Sequence, residues 1–134
     1  VPVPAQDVNE ITQKIIGCAY TVSNTLGIGF VEKVYENALA HDIRKNGLRV
    51  LQQHPITVTY DGILVGEFAA DLLVEDWVLV ELKAVTALKD EHLAQSLNYL
   101  RATGLEVCLL INFGTTKVQI KRLLPSVYWK SHQS

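Results

Sequence analysis

The 134-residue sequence predicts one mixed α/β domain, and the hydrophobic period carries most of that expectation. Apolar residues recur every three or four positions up to about residue 46 and alternate between 48 and 83. Helical spacing then returns over 88–103, before two final alternating runs. The length suits one ordinary core, and 49% hydrophobic against 19% charged residues excludes a disordered chain. The expected class is α/β (α+β), a mixed central sheet flanked by helices. It occupies residues 1–134, with a loose N-terminal end over 1–5 and a C-terminal tail over 125–134.

The elements follow in order. Val8, Ile11, Ile15, Cys18, Ala19, Val22 and Leu26 make one apolar stripe, so a helix runs from Asp7 until Gly27 and Gly29 stop it. A second helix covers about 31–46 and ends at Gly47. The period then becomes two. Segments 48–54, 56–60 and 63–68 read as strands, with Asp61-Gly62 as a hairpin turn, and 69–74 and 77–83 form a further pair around Glu75-Asp76. Residues 88–103 make a third helix closed by Gly104. Segments 105–112 and 117–123 are the last strands, on either side of Gly114.

A formal charge of −2 argues against a protein that holds nucleic acid by general basicity. It leaves room for a nuclease, in which bound metal supplies positive charge where phosphate must sit. Cys18 and Cys108 lie in apolar runs and show no zinc spacing, which predicts two buried free thiols in a reducing compartment. The longest apolar run, 107–111, is too short to cross a membrane, and the acids before residue 15 do not suit a signal peptide. A soluble cytoplasmic protein is the default expectation.

The most informative stretch is Asp71 to Lys83. Alternation puts Glu81 and Lys83 on one strand face, with Val80 and Leu82 on the other. Pairing Leu72 with Val80 and Val74 with Val78 keeps apolar side chains together and sets Asp71 opposite Glu81. That register requires a three-residue turn or a bulge at Glu75-Asp76. Two adjacent carboxylates repel, and a divalent cation removes the penalty. Oxygen ligands from Asp71, Glu81 and the Leu82 carbonyl, completed by water, suit Mg²⁺, with Lys83 beside the reacting phosphate. The other account of these residues is an ordinary solvated alternation of Glu and Lys.

On a helical wheel of the second helix, Glu32 falls between Leu39 and Ile43, on the buried edge of the apolar stripe. A carboxylate there needs a partner or a metal, although an acid favoured by the helix dipole is the alternative. In the third helix Leu93, Leu97 and Leu100 form the expected core stripe. His92, Gln95 and Tyr99 form a separate polar ridge able to contact a phosphate or a base. Gly27-Ile28-Gly29 is not a dinucleotide loop: it follows a helix and has Glu32 where a third glycine belongs.

Gly29-Phe30-Val31-Glu32-Lys33-Val34-Tyr35 resembles the signature of the GxxExxY proteins, a branch of the PD-(D/E)XK nuclease superfamily. The likeness runs from about Thr21 to Leu123. It takes in Ala70-Asp71, Val80-Glu81-Leu82-Lys83, Gln95 with Tyr99, and Leu109 to Gly114. Ala70 stands where the superfamily signature has proline, a position at which the superfamily often departs. The resemblance implies a restriction-endonuclease-like core, α-β-β-β-α-β, with an extra N-terminal helix and β-hairpins. It assigns Asp71 and Glu81 to metal binding and Lys83 to catalysis. Glu32 resembles the first-helix acid that Holliday-junction resolvases use as an additional metal ligand. Gln95 and Tyr99 resemble the Gln-x-x-x-Tyr motif of RecB-type nucleases.

These lines converge on a Mg²⁺-dependent nuclease, with Mn²⁺ able to substitute and DNA the favoured substrate. Its metal ligands are Asp71, Glu81, Glu32 and the Leu82 carbonyl, and its substrate contacts are Gln95, Tyr99 and His92. So compact a chain has few elements left for substrate selection, which leaves room for a homodimer or a partner. The alternative is a non-catalytic nucleic-acid- or protein-binding module that keeps the fold.

Overall fold

The computed structural model describes residues 7–125, so the expected loose end at 1–5 and the tail beyond 125 lie outside the described residues. Asp7 caps the first helix, its Oδ1 accepting the Glu10 N–H at 2.9 Å. That helix, α1 (Val8–Leu26), buries Ile11, Ile15, Cys18, Ala19 and Val22 and ends where Gly27 takes a positive φ of 69°. Then come α2 (Glu32–Lys45), β1 (Val50–Tyr60), β2 (Ile63–Val74), β3 (Val78–Lys83), α3 (Asp90–Thr103), β4 (Val107–Asn112) and β5 (Gln119–Leu123).

The five strands lie in the order β1-β2-β3-β4-β5. The β1/β2, β2/β3 and β4/β5 pairs are antiparallel, and β3/β4 is parallel, with α3 as the crossover. The larger core joins α1 and α2 to one sheet face through Ile15, Tyr35, Leu39, Leu72, Val80 and Leu109. On the other face Ile56, Ala70, Leu73, Leu79 and Cys108 pack with Tyr99 and Leu100 of α3. Both cysteines are free and buried. Among the described residues no helix is long and apolar enough to cross a membrane.

Three local expectations are corrected. Segments 48–54 and 56–60 are one strand, β1, and 63–74 is likewise one strand, β2. Pro55 does not interrupt β1 because β1 is an edge strand, where one side of the backbone lacks a ladder partner. In α2 the buried face is Tyr35, Glu36, Leu39, Ala40 and Ile43, and Glu32 is exposed. In α3 it is Ser96, Tyr99 and Leu100, with Leu93 and Leu97 only half-buried.

The exit of β3 is fixed by Asn112, fully buried on β4 opposite Lys83. Its amide accepts the Val85 N–H and donates to the Val85 carbonyl, both at 3.0 Å, and its Oδ1 also accepts the Gly114 N–H at 2.9 Å. Residue 114 must be glycine because a Cβ there would collide with the Val85 backbone. The strand carrying Glu81 and Lys83 is thereby held at its C-terminal end.

Candidate active site

The turn between β2 and β3 sets the register of the site. Leu72 faces Val80 and Val74 faces Val78, so three residues, Glu75 to Trp77, make the turn. Glu75 and Asp76 both adopt left-handed backbone, with φ of 52° and 57°. Arg49 ties them down: its backbone N–H donates to Glu75 Oε2 at 2.6 Å, and its guanidinium lies 3.5 Å from Glu75 and 3.2 Å from Asp76. This turn delivers Asp71 and Glu81 side by side at the far end of the hairpin.

There each acid accepts a backbone N–H from the neighbouring strand. The Asp71 N–H donates to Glu81 Oε1 at 3.1 Å, and the Leu82 N–H donates to Asp71 Oδ2 at 2.7 Å. Glu81 is only 4% exposed. Burial, and then the charge of Asp71, push the Glu81 carboxyl up to about 8. Burial also raises Asp71, opposed by hydrogen bonds from the Leu82 N–H and the Gln53 amide. Lys83 stabilises the charged form of both acids, and its Nζ donates to Gln95 Oε1 at 3.3 Å. Gln95 Nε2 reaches the Tyr99 hydroxyl at 3.3 Å, and Tyr99 is raised by burial and then by the charges of Glu81 and Asp71. Asp71, Glu81, Lys83, Gln95 and Tyr99 thus share one neighbourhood.

Two other expected residues lie apart from it. Glu32 is exposed rather than buried, because it is the first residue of α2 and the core does not extend past that end of the helix. It stands on the rim, near enough for its charge to raise Glu81. His92 caps α3, its Nδ1 accepting the Lys89 N–H at 2.9 Å.

The buried acid of α2 is Glu36, one turn further on and 3% exposed, which the sequence analysis did not single out. It is held by Lys33 at 3.1 Å and by the side-chain amides of Gln52 and Gln53, each at 2.8 Å. Its wheel position between Ile43 and Ala40 was the available signal. Gln53 has a left-handed φ of 55°, which costs a non-glycine residue on the order of 1–2 kcal/mol. On β4, Cys108 is pushed up to about 12 by burial and by Glu81, which makes it an inert thiol.

The donors fit a small hard cation. Lys83 turns its carbonyl to the Phe113 N–H, whereas Leu82 sends its N–H to Asp71, so strand alternation puts the Leu82 carbonyl on the Asp71 side. Among the described residues no three His, Cys, Asp or Glu side chains gather at one point. The set is therefore two carboxylates and one carbonyl, all oxygen, leaving positions for water and phosphate as Mg²⁺ prefers. The raised Glu81 carboxyl is consistent with this: a proton takes the place of a cation there.

Residues 9–123 match the family model of the PD-(D/E)XK nuclease superfamily. The crystal structure of an alkaline exonuclease (LHK-Exo) from Laribacter hongkongensis superposes with a TM-score of 0.54 at 18% identity, over 98% of this chain and 75% of that one. LHK-Exo in complex with dAMP gives a TM-score of 0.55 at 18% identity, over 92% and 71% of the two chains. At that identity the likeness establishes the fold, and the restriction-endonuclease-like core is α2-β1-β2-β3-α3-β4, with α1 and β5 added. No curated protein matches the sequence.

Proposed function

This chain belongs to the PD-(D/E)XK nuclease superfamily, and from that premise we propose that it is a metal-dependent nuclease hydrolysing phosphodiester bonds, with DNA as its substrate. The observation that carries the proposal is the pair of adjacent carboxylates, Asp71 and Glu81, each held by a backbone N–H across the β2/β3 hairpin, with Lys83 beside them. A structural hairpin gains nothing from setting a half-buried acid against a buried one. Within the superfamily we assign the chain to the GxxExxY branch, on the motif from Gly29 to Tyr35.

Mg²⁺, or Mn²⁺ in its place, would supply a polarised phosphate and a more acidic water. Asp71, Glu81 and the Leu82 carbonyl hold the cation, and Glu32 completes the set from the rim, directly or through water. Lys83, kept in place by Gln95, sits beside the phosphate and offsets the charge that develops there. Gln95 contacts the substrate, with the Tyr99 hydroxyl behind it to orient its amide, while His92, engaged in the helix cap, is left out of the substrate contacts. Supporting contacts from a second copy or a partner fill out substrate selection. The cytoplasm is the compartment in which Cys18 and Cys108 stay free thiols.

A cleavage screen over linear, circular, single-stranded and branched DNA, with RNA alongside, tests the proposal. Cleavage of at least one DNA is expected in Mg²⁺ and in Mn²⁺, with none in chelator and none by Asp71→Ala. No cleavage of any substrate, or equal cleavage by Asp71→Ala, would overturn it. In the first case the chain is a binding module on a nuclease fold.

A further inference from the structure

Gln53 stands across from Asp71 in a conformation that an ordinary strand residue avoids. Its neighbours Gln52 and His54 pair with Leu72 and Ala70, but Gln53 itself is left-handed, with φ of 55°. Its Nε2 donates to Glu36 Oε1 at 2.8 Å and to Asp71 Oδ1 at 3.2 Å. An ionised carboxylate only accepts, and an amide nitrogen has two hydrogens to give. An acid on each side therefore determines which end of the Gln53 amide faces Asp71. Glu36 is held in turn by Lys33 and Gln52, so the bridge is anchored from α2. The second oxygen of Asp71 takes the Leu82 N–H. One donor on each oxygen fixes the plane of that carboxylate and leaves each oxygen a lone pair.

We infer that Gln53, backed by Glu36, is a positioning residue that sets the Asp71 carboxylate for the divalent cation. The inference rests on the nuclease proposal above and adds to it two residues that touch neither cation nor substrate. It also accounts for the strained backbone: the left-handed turn brings the amide between two acids that would otherwise face one another. Partners of this kind are worth about ten- to hundredfold in metal affinity.

The test is a calorimetric Mn²⁺ titration of the full chain, paired with thermal melting in chelator. Gln53→Gly removes the amide while glycine adopts the left-handed φ freely, so the fold is retained. Gln53→Asn tolerates the same backbone and is too short to reach both acids, which keeps the test open if the glycine variant is unstable. Both should bind Mn²⁺ about ten- to hundredfold more weakly than wild type. Melting of Gln53→Gly should change little, because relief of the left-handed backbone offsets the two lost hydrogen bonds. Glu36→Gln, which still offers Gln53 an oxygen acceptor, should lose less. A bridge that only braces β1 would give the reverse, a lower melting temperature with unchanged Mn²⁺ affinity, and that result overturns the inference alone. Wild-type protein with no saturable Mn²⁺ site would overturn the nuclease proposal and this inference together.

Discussion

Lys83→Ala loses cleavage by roughly two orders of magnitude or more and still binds Mn²⁺ about as well as wild type. The loss is that of one preorganised positive charge beside a phosphate gaining charge in the transition state. The ligands are untouched, because Asp71 and Glu81 are held by backbone N–H groups and by Gln53 rather than by the lysine. Removing a cation from beside two acids favours metal, so affinity should not fall. The fold should survive, since Lys83 is only half-buried and its ammonium donates to exposed Gln95. Single-turnover cleavage, Mn²⁺ titration and melting separate these effects. If Lys83→Ala cleaves at the wild-type rate, the activity belongs to another site or another protein.

The second large effect concerns Glu81→Gln and is read as stability against pH. In chelator the folded chain holds a proton on Glu81 up to about 8, whereas the unfolded chain releases it near the ordinary glutamate value of 4.5. Between those values the native state binds more protons than the unfolded state, so stability falls as pH rises. The contribution is fully present below about 4.5 and is lost as pH passes through about 8. Wild-type protein in chelator should therefore melt progressively lower from pH 5 to pH 8.5. Glu81→Gln carries no proton to lose, so it should melt close to wild type at pH 5 and above it at pH 8.5. The gap should be a few kcal/mol, roughly 10 °C for a domain of this size. Part of the slope persists in the variant because Asp71 is also raised by burial. Saturating Mg²⁺ should flatten the wild-type curve and leave Glu81→Gln largely unmoved. Identical pH curves for the two proteins in chelator would mean that Glu81 is not a strained acid.

The β2/β3 register was legible because Leu72, Val74, Val78 and Val80 can share the core in only one pairing. The three-residue turn followed from that pairing, although nothing local marks Glu75 and Asp76 for left-handed backbone. Arg49, 26 residues away from Glu75, is what ties them down. Glu36 was missed for a related reason. On the wheel it borders the buried arc, but its burial depends on amides from Gln52 and Gln53 on another element. Glu32 failed in the opposite direction: its azimuth is central to the buried arc, yet it begins α2, and no core extends past the helix end to cover it. Periodicity reports which way a side chain points, not how far the core reaches along the axis. The polar ridge of α3 divides by the same logic, with Tyr99 in the core, Gln95 at the site and His92 spent on the helix cap.

The central claim is that Asp71 and Glu81 form one cation site, and anomalous scattering from crystals soaked in Mn²⁺ tests it most directly. The expected result is an anomalous peak in contact with both carboxylates, absent from Asp71→Ala crystals under the same soak. At a Mn²⁺ concentration that supports cleavage, a peak elsewhere with none between Asp71 and Glu81 would contradict the account.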